Sequence, residues 1–322
     1  MKIIKKALSI ITAAGIVLLS CGCSVFGKIT GGETLRILSG SENAELSAIL
    51  DECEKQTGVK VEMTYKGSVD IMQELKNGAP DYDAVWTASS LWISLGDEKH
   101  IVKHDKSVCT TPVIFGIKKS IAERLEFTDG EVSVKDILGA IESGELSFCM
   151  TSATQSNSGA SAYIDFLYAL LGKSSALTDD DLSDPALAEQ IKSLLSGVER
   201  SSGSSGWLED MFLAGDYDAM VNYECLIIDA DRPLGYLDHG DSGKEQAFLK
   251  VQDYLLDEAQ NAIEATGRRI SLNSVSEQNK SVFNAEWGID TDRILSPITM
   301  PSADVLMNAL NLWQSSFRKP SL

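Results

Sequence analysis

The stretch Thr151-Ser-Ala-Thr-Gln-Ser-Asn-Ser-Gly-Ala-Ser-Ala-Tyr163 concentrates hydroxyls, amides and small residues and carries no charge. It follows a short apolar run, Leu146 to Met150, whose length fits a buried strand. It leads into Tyr163, Phe166, Leu167 and Leu170, whose spacing fits a helix. A loop so placed presents backbone N–H groups and hydroxyl donors at a helix N-terminus, which favours a bound anion or another strongly accepting oxygen. Ordinary helix capping selects the same residue types, so a cap stands beside a ligand contact as the reading of each serine.

Other chemistries find little support. Gly172-Lys173-Ser174 matches only the tail of a phosphate-binding loop, because Leu167 stands where the first glycine belongs. No Gly-x-Ser-x-Gly, His-Glu-x-x-His or dinucleotide fingerprint occurs. His100 and His104 have the i, i+4 spacing of a helical metal pair. No third histidine lies near them, neighbouring lysines argue for surface, and a zinc site needs three or four ligands. The sequence therefore assigns no metal, no cofactor and no catalytic residue, and reads as a non-enzyme. Trp86 and Trp92 fit a core better than a ligand wall, given the area such side chains bury.

With 322 residues, 43% of them hydrophobic, the chain can bury one large domain or two lobes of ordinary size. A formal net charge of −19 repels phosphate backbones, so nucleic acid is excluded as a partner. The acidic residues are scattered, which describes a solvated face. Lys2, Lys5 and Lys6 precede the apolar run Ala7 to Leu19, shorter than the ~20 residues a bilayer span requires. Residues 1–20 thus form an export signal. Leu18-Leu19-Ser20-Cys21 resembles a bacterial lipobox, with Cys21 as the lipidated residue and Cys23 as the alternative. Because Leu19 is bulky for that motif, an ordinary cleaved signal or an uncleaved anchor also fits. The remaining cysteines, 23, 53, 109, 149 and 225, are odd in number and widely spaced, so they form no disulfide framework. Cys53 and Cys149 lie in apolar patterns as small buried residues.

The elements that would position these groups alternate. After a linker over 21–33, Leu35 to Leu38 reads as a strand, and Leu46, Ile49, Leu50 and Cys53 mark a helix stopped by Gly58. Val59, Val61, Met63 and Tyr65 alternate as a strand, and Gly67-Ser68 opens a helix carrying Ile71, Met72 and Leu75. Asp83 to Thr87 is a third strand, ending at Ala88-Ser89-Ser90 before another helix. A second set begins at Val113 to Lys118, with helices around Ile121 and Ile137 to Ile141, then the central strand and loop. Asp179 to Asp184 is an acidic turn, and Asp184-Pro185 starts a helix. Arg200 to Gly206 reads as a linker or as a helix-start loop. Strands at Asp218 to Val221 and Leu234 to Leu237, helices around Phe248 and Ile263, and a terminal helix capped by Ser302 complete the chain. Such alternation gives an α/β fold with parallel or mixed sheets, whose ligands collect at the carboxyl ends of strands.

Thr64 to Met72, Tyr82-Asp-Ala-Val-Trp86, the Thr151 to Tyr163 loop and Leu213 to Glu224 resemble bacterial extracellular solute-binding proteins. More narrowly, they resemble the molybdate-type-related group often fused to a von Willebrand factor A domain. The resemblance implies a two-lobed, periplasmic-binding-protein-like α/β fold of type II, each lobe a mixed, mostly parallel sheet flanked by helices. It implies lobe 1 from 34–111 and 233–322, lobe 2 from 112–232, and a hinge strand at Thr111 to Gly116. Two departures stand out. Ile227 to Leu234 is shorter than the family's segment with its returning hinge strand, and Phe317 to Leu322 resembles the junction before the von Willebrand domain.

If that fold holds, loops at strand ends converge on one cleft. The first lobe would offer Ser39, Ser41, Ser68, Ser89 and Ser90. The second would offer Ser152, Thr154, Asn157, Ser158, Ser201, Ser204, Ser205, Asn222 and Tyr223, with Lys66 and Arg200 the nearest cations by sequence. The expected function is an exported solute-binding lipoprotein, anchored on the outer side of the cell membrane. It would be monomeric and would pass a small ligand, by preference an oxyanion, to the permease of an ABC-type transporter. A surface sensing or adhesion protein on the same fold is the alternative, and a secreted hydrolase built on the serine loops a third class.

Overall fold

A computed structural model describes residues 32–215, 217–224, 233–271, 274–284, 289, 291, 299 and 301–317, with backbone only at Arg200, Ser202 and Phe317. The export signal, Cys21 and Cys23, the linker up to residue 31, Cys225, residues 227–232 of the shortened segment and residues 318–322 lie outside the described residues. Glu33–Leu322 is one compact unit.

β1 (Glu33–Ser39), α1 (Ser47–Thr57), β2 (Val59–Tyr65), α2 (Ser68–Asn77), β3 (Ala84–Trp86) and α3 (Ser90–Gly96) alternate as expected, with a 3-10 segment, Ser41–Leu46, between β1 and α1. β4 (Val102–Ser107), β5 (Val113–Ile117), α4 (Lys119–Arg124), α5 (Val134–Glu142), β6 (Phe148–Thr151) and α6 (Asn157–Leu171) follow. Then come α7 (Asp179–Leu182), α8 (Pro185–Ser196), β7 (Val198–Ser202), α9 (Ser205–Ala214) and β8 (Ala219–Tyr223). β9 (Pro233–Leu237), α10 (Ser242–Leu256), α11 (Gln260–Glu264) and α12 (Ala303–Phe317) complete the described elements.

Two sheets divide these strands into two lobes. The first has the order β2-β1-β3-β9-β4, with β2, β1 and β3 parallel and β9 antiparallel to both β3 and β4. The second has the order β5-β8-β6-β7, with only β5 antiparallel. Strands buried on both faces read as nearly continuous apolar runs, as Leu35, Ile37 and Leu38 of β1 do. One face of the first sheet packs α1 and α10 through Leu50, Phe248 and Val251, and the other packs α2 and α3 through Ile71, Leu75 and Ile93. The second core joins β6 and β8 to α5, α6 and α8.

The structure departs from the sequence reading in five places. α12, assigned by chain order to the first lobe, packs on α6, α7 and α8, with Trp313 edge-on to Tyr163 at 5.3 Å between ring centroids. β4 gave no strand signal because Val-Lys-His-Asp-Lys-Ser is a mostly exposed edge strand without apolar alternation. His100 and His104 therefore lie in a turn and in β4, both with positive φ, and not on a helix; His104 Nε2 meets Glu245 Oε1 at 2.7 Å. Arg200 to Gly206 is no linker: it ends the edge strand β7 and starts α9, as the helix-start reading had it. The acidic turn at Asp179 contains a helical turn, where the Thr178 hydroxyl accepts from the Asp181 N–H.

Candidate functional site

The carboxyl ends of β1 and β2 and the first turns of α2 face the loops after β6 and β7. Between them lies a cleft of about 840 Å³. The first lobe lines it with Ser41, Tyr65, Lys66, Gly67 and Val69, and with Asp70, Gln73, Glu74 and Asn77 of α2. The second lobe contributes Thr154, Gln155, Gly203, Ser204 and Trp207. The lobes touch here. The Ser41 and Ser204 hydroxyls share a hydrogen bond of 3.1 Å, and a Cβ added to Gly67 would come within 2.8 Å of the Gln155 carbonyl oxygen. Gly67 is thus needed where α2 meets the opposite loop.

Three of the fourteen hydroxyl and amide residues singled out from sequence, Ser41, Thr154 and Ser204, line the cleft. Ser152 stands behind them: its hydroxyl shares a 3.0 Å hydrogen bond with that of Thr154 and accepts from the Thr154 N–H. Ser68 is buried at the first position of α2, between the lining residues Gly67 and Val69. Asn157 is 1% exposed and joins the lobes differently: its Oδ1 accepts from the Trp92 indole N–H at 2.5 Å. Trp92 is therefore a core residue, as expected, whose polar edge reaches across the gap.

The others do not gather at the cleft. Ser158 is buried in a hydroxyl cluster with Thr151 at 2.7 Å and Ser205 at 2.8 Å. Asn222 donates to the Ser205 carbonyl at 2.9 Å and accepts from the Tyr223 N–H, tying β8 to the start of α9. Tyr223 is buried against Ala88, and Ser39 accepts from the Asn43 amide at 3.0 Å. Ser89 caps α3 by accepting from the Leu91 N–H, and Ser90 is exposed, its carbonyl accepting from Ser94. Ser201 is exposed on β7. The capping reading thus describes Ser89 directly, a hydroxyl cluster occupies Ser158, and amide or backbone hydrogen bonds occupy Ser39 and Asn222.

The electrostatics of the cleft were not visible in the loops. Lys66 Nζ pairs with Glu74 Oε1 at 2.5 Å, and that hydrogen bond raises the lysine above its ordinary range. Asp70 makes no ion pair among the described residues. Burial first, then the nearby Glu42 carboxylate, push the Tyr65 hydroxyl up. Glu42, 5% exposed, lies one turn beyond β1, with its carboxylate folded over Gly40. Asp70, Gln73, Glu74 and Asn77 were missed from sequence, although their i, i+3, i+4, i+7 spacing marks one face of α2. Among the described residues no group of three or more His, Cys, Asp or Glu side chains could hold a metal ion, and no helix is long and apolar enough to cross a membrane.

A family profile described as bacterial extracellular solute-binding protein matches residues 35–269. No curated protein matches the chain. Among solved structures, the substrate-binding protein of an ABC transporter from Agrobacterium tumefaciens has a TM-score of 0.63 at 11% identity, covering 91% of this chain and 96% of that one. The periplasmic binding protein AfuA from Actinobacillus pleuropneumoniae, with fructose-6-phosphate bound, has a TM-score of 0.61 at 12% identity, covering 88% and 98%. The periplasmic molybdate-binding protein of Azotobacter vinelandii has a TM-score of 0.50 at 14% identity, covering 74% and 99%. At these identities the structures establish a shared fold of two α/β lobes. The family match spans both lobes and every wall of the cleft, and the chain belongs to the bacterial extracellular solute-binding proteins.

Proposed function

We propose that this solute-binding protein captures a small ligand in the cleft between its lobes and delivers it to the permease of an ABC-type transporter. The observation that carries the reading is the cleft itself, walled by residues of both lobes that meet at Ser41 and Ser204. A site shared between two lobes couples ligand binding to their closure. The protein acts by binding and not by catalysis. In support, the Ser158 and Ser205 hydroxyls bond to other hydroxyls, while His104 meets Glu245 and His239 meets backbone carbonyls. Membership of an extracellular family implies export. We place the mature chain on the outer face of the membrane as a monomer, anchored through Cys21 or, failing that, Cys23. Metabolic labelling with a fatty-acid analogue tests the anchor: Cys21→Ser abolishes labelling if Cys21 carries the lipid.

The ligand contacts we assign are Ser41, Thr154 and Ser204. Isothermal titration with sugars, oxyanions, amino acids and amines tests the reading, and absence of binding by the folded protein overturns it. Thr154→Ala is expected to weaken binding by about 1–3 kcal/mol, the cost of leaving a ligand group unpaired. The narrower expectation of an oxyanion draws support from neighbours named for molybdate and fructose-6-phosphate. It is opposed by Asp70 and Glu74 on the cleft wall, against Lys66 as the one cation there among the described residues. Sensing without transport is the second reading, favoured by the exposure of Leu213 on α9. Recovery of a permease from detergent-solubilised membranes supports transport, and recovery of another surface protein supports sensing.

A further inference from the structure

We infer that the cleft takes an uncharged, polyhydroxylated ligand, a sugar or oligosaccharide, held against Tyr65 of one lobe and Trp207 of the other. This rests on the cleft being the ligand site and goes further by naming the class.

Size is the first argument. A tetrahedral oxyanion displaces about as much as two or three waters of roughly 30 Å³ each. It would fill about a tenth of the 840 Å³ between the lobes. Pockets of about 300–1,000 Å³ match organic ligands of many more atoms.

Charge is the second. Oxyanion sites without cations need walls free of carboxylates. Here the Lys66 ammonium is committed to Glu74, and Asp70 lies on the same wall with no ion pair among the described residues. Glu42 adds a carboxylate close enough to be felt at Tyr65. An anion would lose its hydration beside these groups and gain no free cation in return. The Asp70 carboxylate can accept from a ligand hydroxyl, and an amine, the other donor it could hold, is an arm of the test.

The polar inventory is the third. Ser41, Thr154 and Ser204 hydroxyls donate and accept, Gln155 does both through its amide, and Asp70 accepts. That mixture fits hydroxyl groups, which themselves donate and accept.

The aromatic residues are the fourth. Trp207 is 73% exposed and Tyr65 39%, both lining the cleft from opposite lobes. An indole left in water is a ready apolar surface for the C–H face of a sugar ring.

The experiment titrates the full mature protein, by calorimetry and tryptophan fluorescence, with three arms. These are neutral mono-, di- and trisaccharides; molybdate, tungstate, phosphate and fructose-6-phosphate; and spermidine with choline. Binding in the first arm, with a fluorescence change lost in Trp207→Ala and affinity lowered at least tenfold, is the expected result. Trp207 is exposed enough that the variant should fold, which its thermal melt verifies. Asp70→Asn should leave folding intact and lower the affinity for the same sugar. Binding confined to the oxyanion arm or to the amine arm overturns the inference while leaving the capture function standing. Sugar binding indifferent to Trp207→Ala also overturns it. Silence in every arm overturns the capture function too.

Discussion

Asp165 sits on α6 with no hydrogen bond or ion pair among the described residues, and burial pushes its carboxyl up to about 7. A carboxyl raised on folding holds its proton more tightly in the folded state. Stability is therefore fully present below the unfolded value near 4 and is lost as pH rises through 7. Denaturant melts should show Asp165→Asn gaining about 3 kcal/mol over the wild type at pH 8 and almost nothing at pH 4; equal differences at both pH values would refute this. Ser158 tests a different residue-scale claim, that its hydroxyl is structural. Ser158→Ala, which breaks bonds to Thr151 and Ser205, should cost about 1–3 kcal/mol in a urea titration. The same scale shows what the sequence disclosed of the site. Ser41, Thr154 and Ser204 were legible because they end strands and precede helices. Asp70, Gln73, Glu74 and Asn77 were not, because a polar stripe on a helix reads the same whether it meets solvent or a cleft. Nor could spacing separate Ser158 from Thr154: the one turns into the core and the other into the gap.

At the level of elements, buried strands and amphipathic helices were readable, since their burial imposes the pattern. β4 and β7 escaped because each lies at a sheet edge and asks little of its side chains. α12 was recognised as a helix but given to the wrong lobe, because chain order says nothing of which core an apolar face will cover. Its placement makes a prediction. Trp313 packs edge-on to Tyr163 inside the second core, so Trp313→Ala should destabilise by about 3–5 kcal/mol, read from the urea midpoint and from near-ultraviolet dichroism. The start of α6 is fixed just as tightly. A Cβ on Gly159 would come within 2.3 Å of the Thr151 carbonyl oxygen, and neither a Cβ, fixed by its own backbone, nor that backbone oxygen can rotate away. Gly159→Ala should cost at least about 1–3 kcal/mol in the same titration, and by shifting α6 should also disturb Thr154 in the cleft.

Across the whole molecule the question is what holds the lobes together and what lets them part. Residues 108–112 carry the chain from β4 to β5, and the return lies within 225–232, outside the described residues. Beside these crossings the structure supplies a further tie. Arg269 pairs its backbone with Thr110, and its guanidinium grips the Glu224 carboxylate through Nε at 2.9 Å and Nη2 at 3.1 Å. Both side chains are buried, so removing either strands a charge. Glu224→Ala should cost about 3–5 kcal/mol and loosen the hinge without touching the cleft. Farther from this hinge the lobes meet at Trp92 and Asn157, where one buried indole N–H reaches one buried amide oxygen. That contact, with the Ser41–Ser204 hydrogen bond and the packing of Met72 and Trp92 on the second core, holds the lobes together. Trp92→Phe removes the donor and keeps the ring in its core, so the open form should gain population. Small-angle scattering of the ligand-free variant should then give a larger radius of gyration than wild type, and stopped-flow titration a faster association rate. Unchanged scattering would mean that the hinge alone, through Arg269 and Glu224, sets the angle between the lobes.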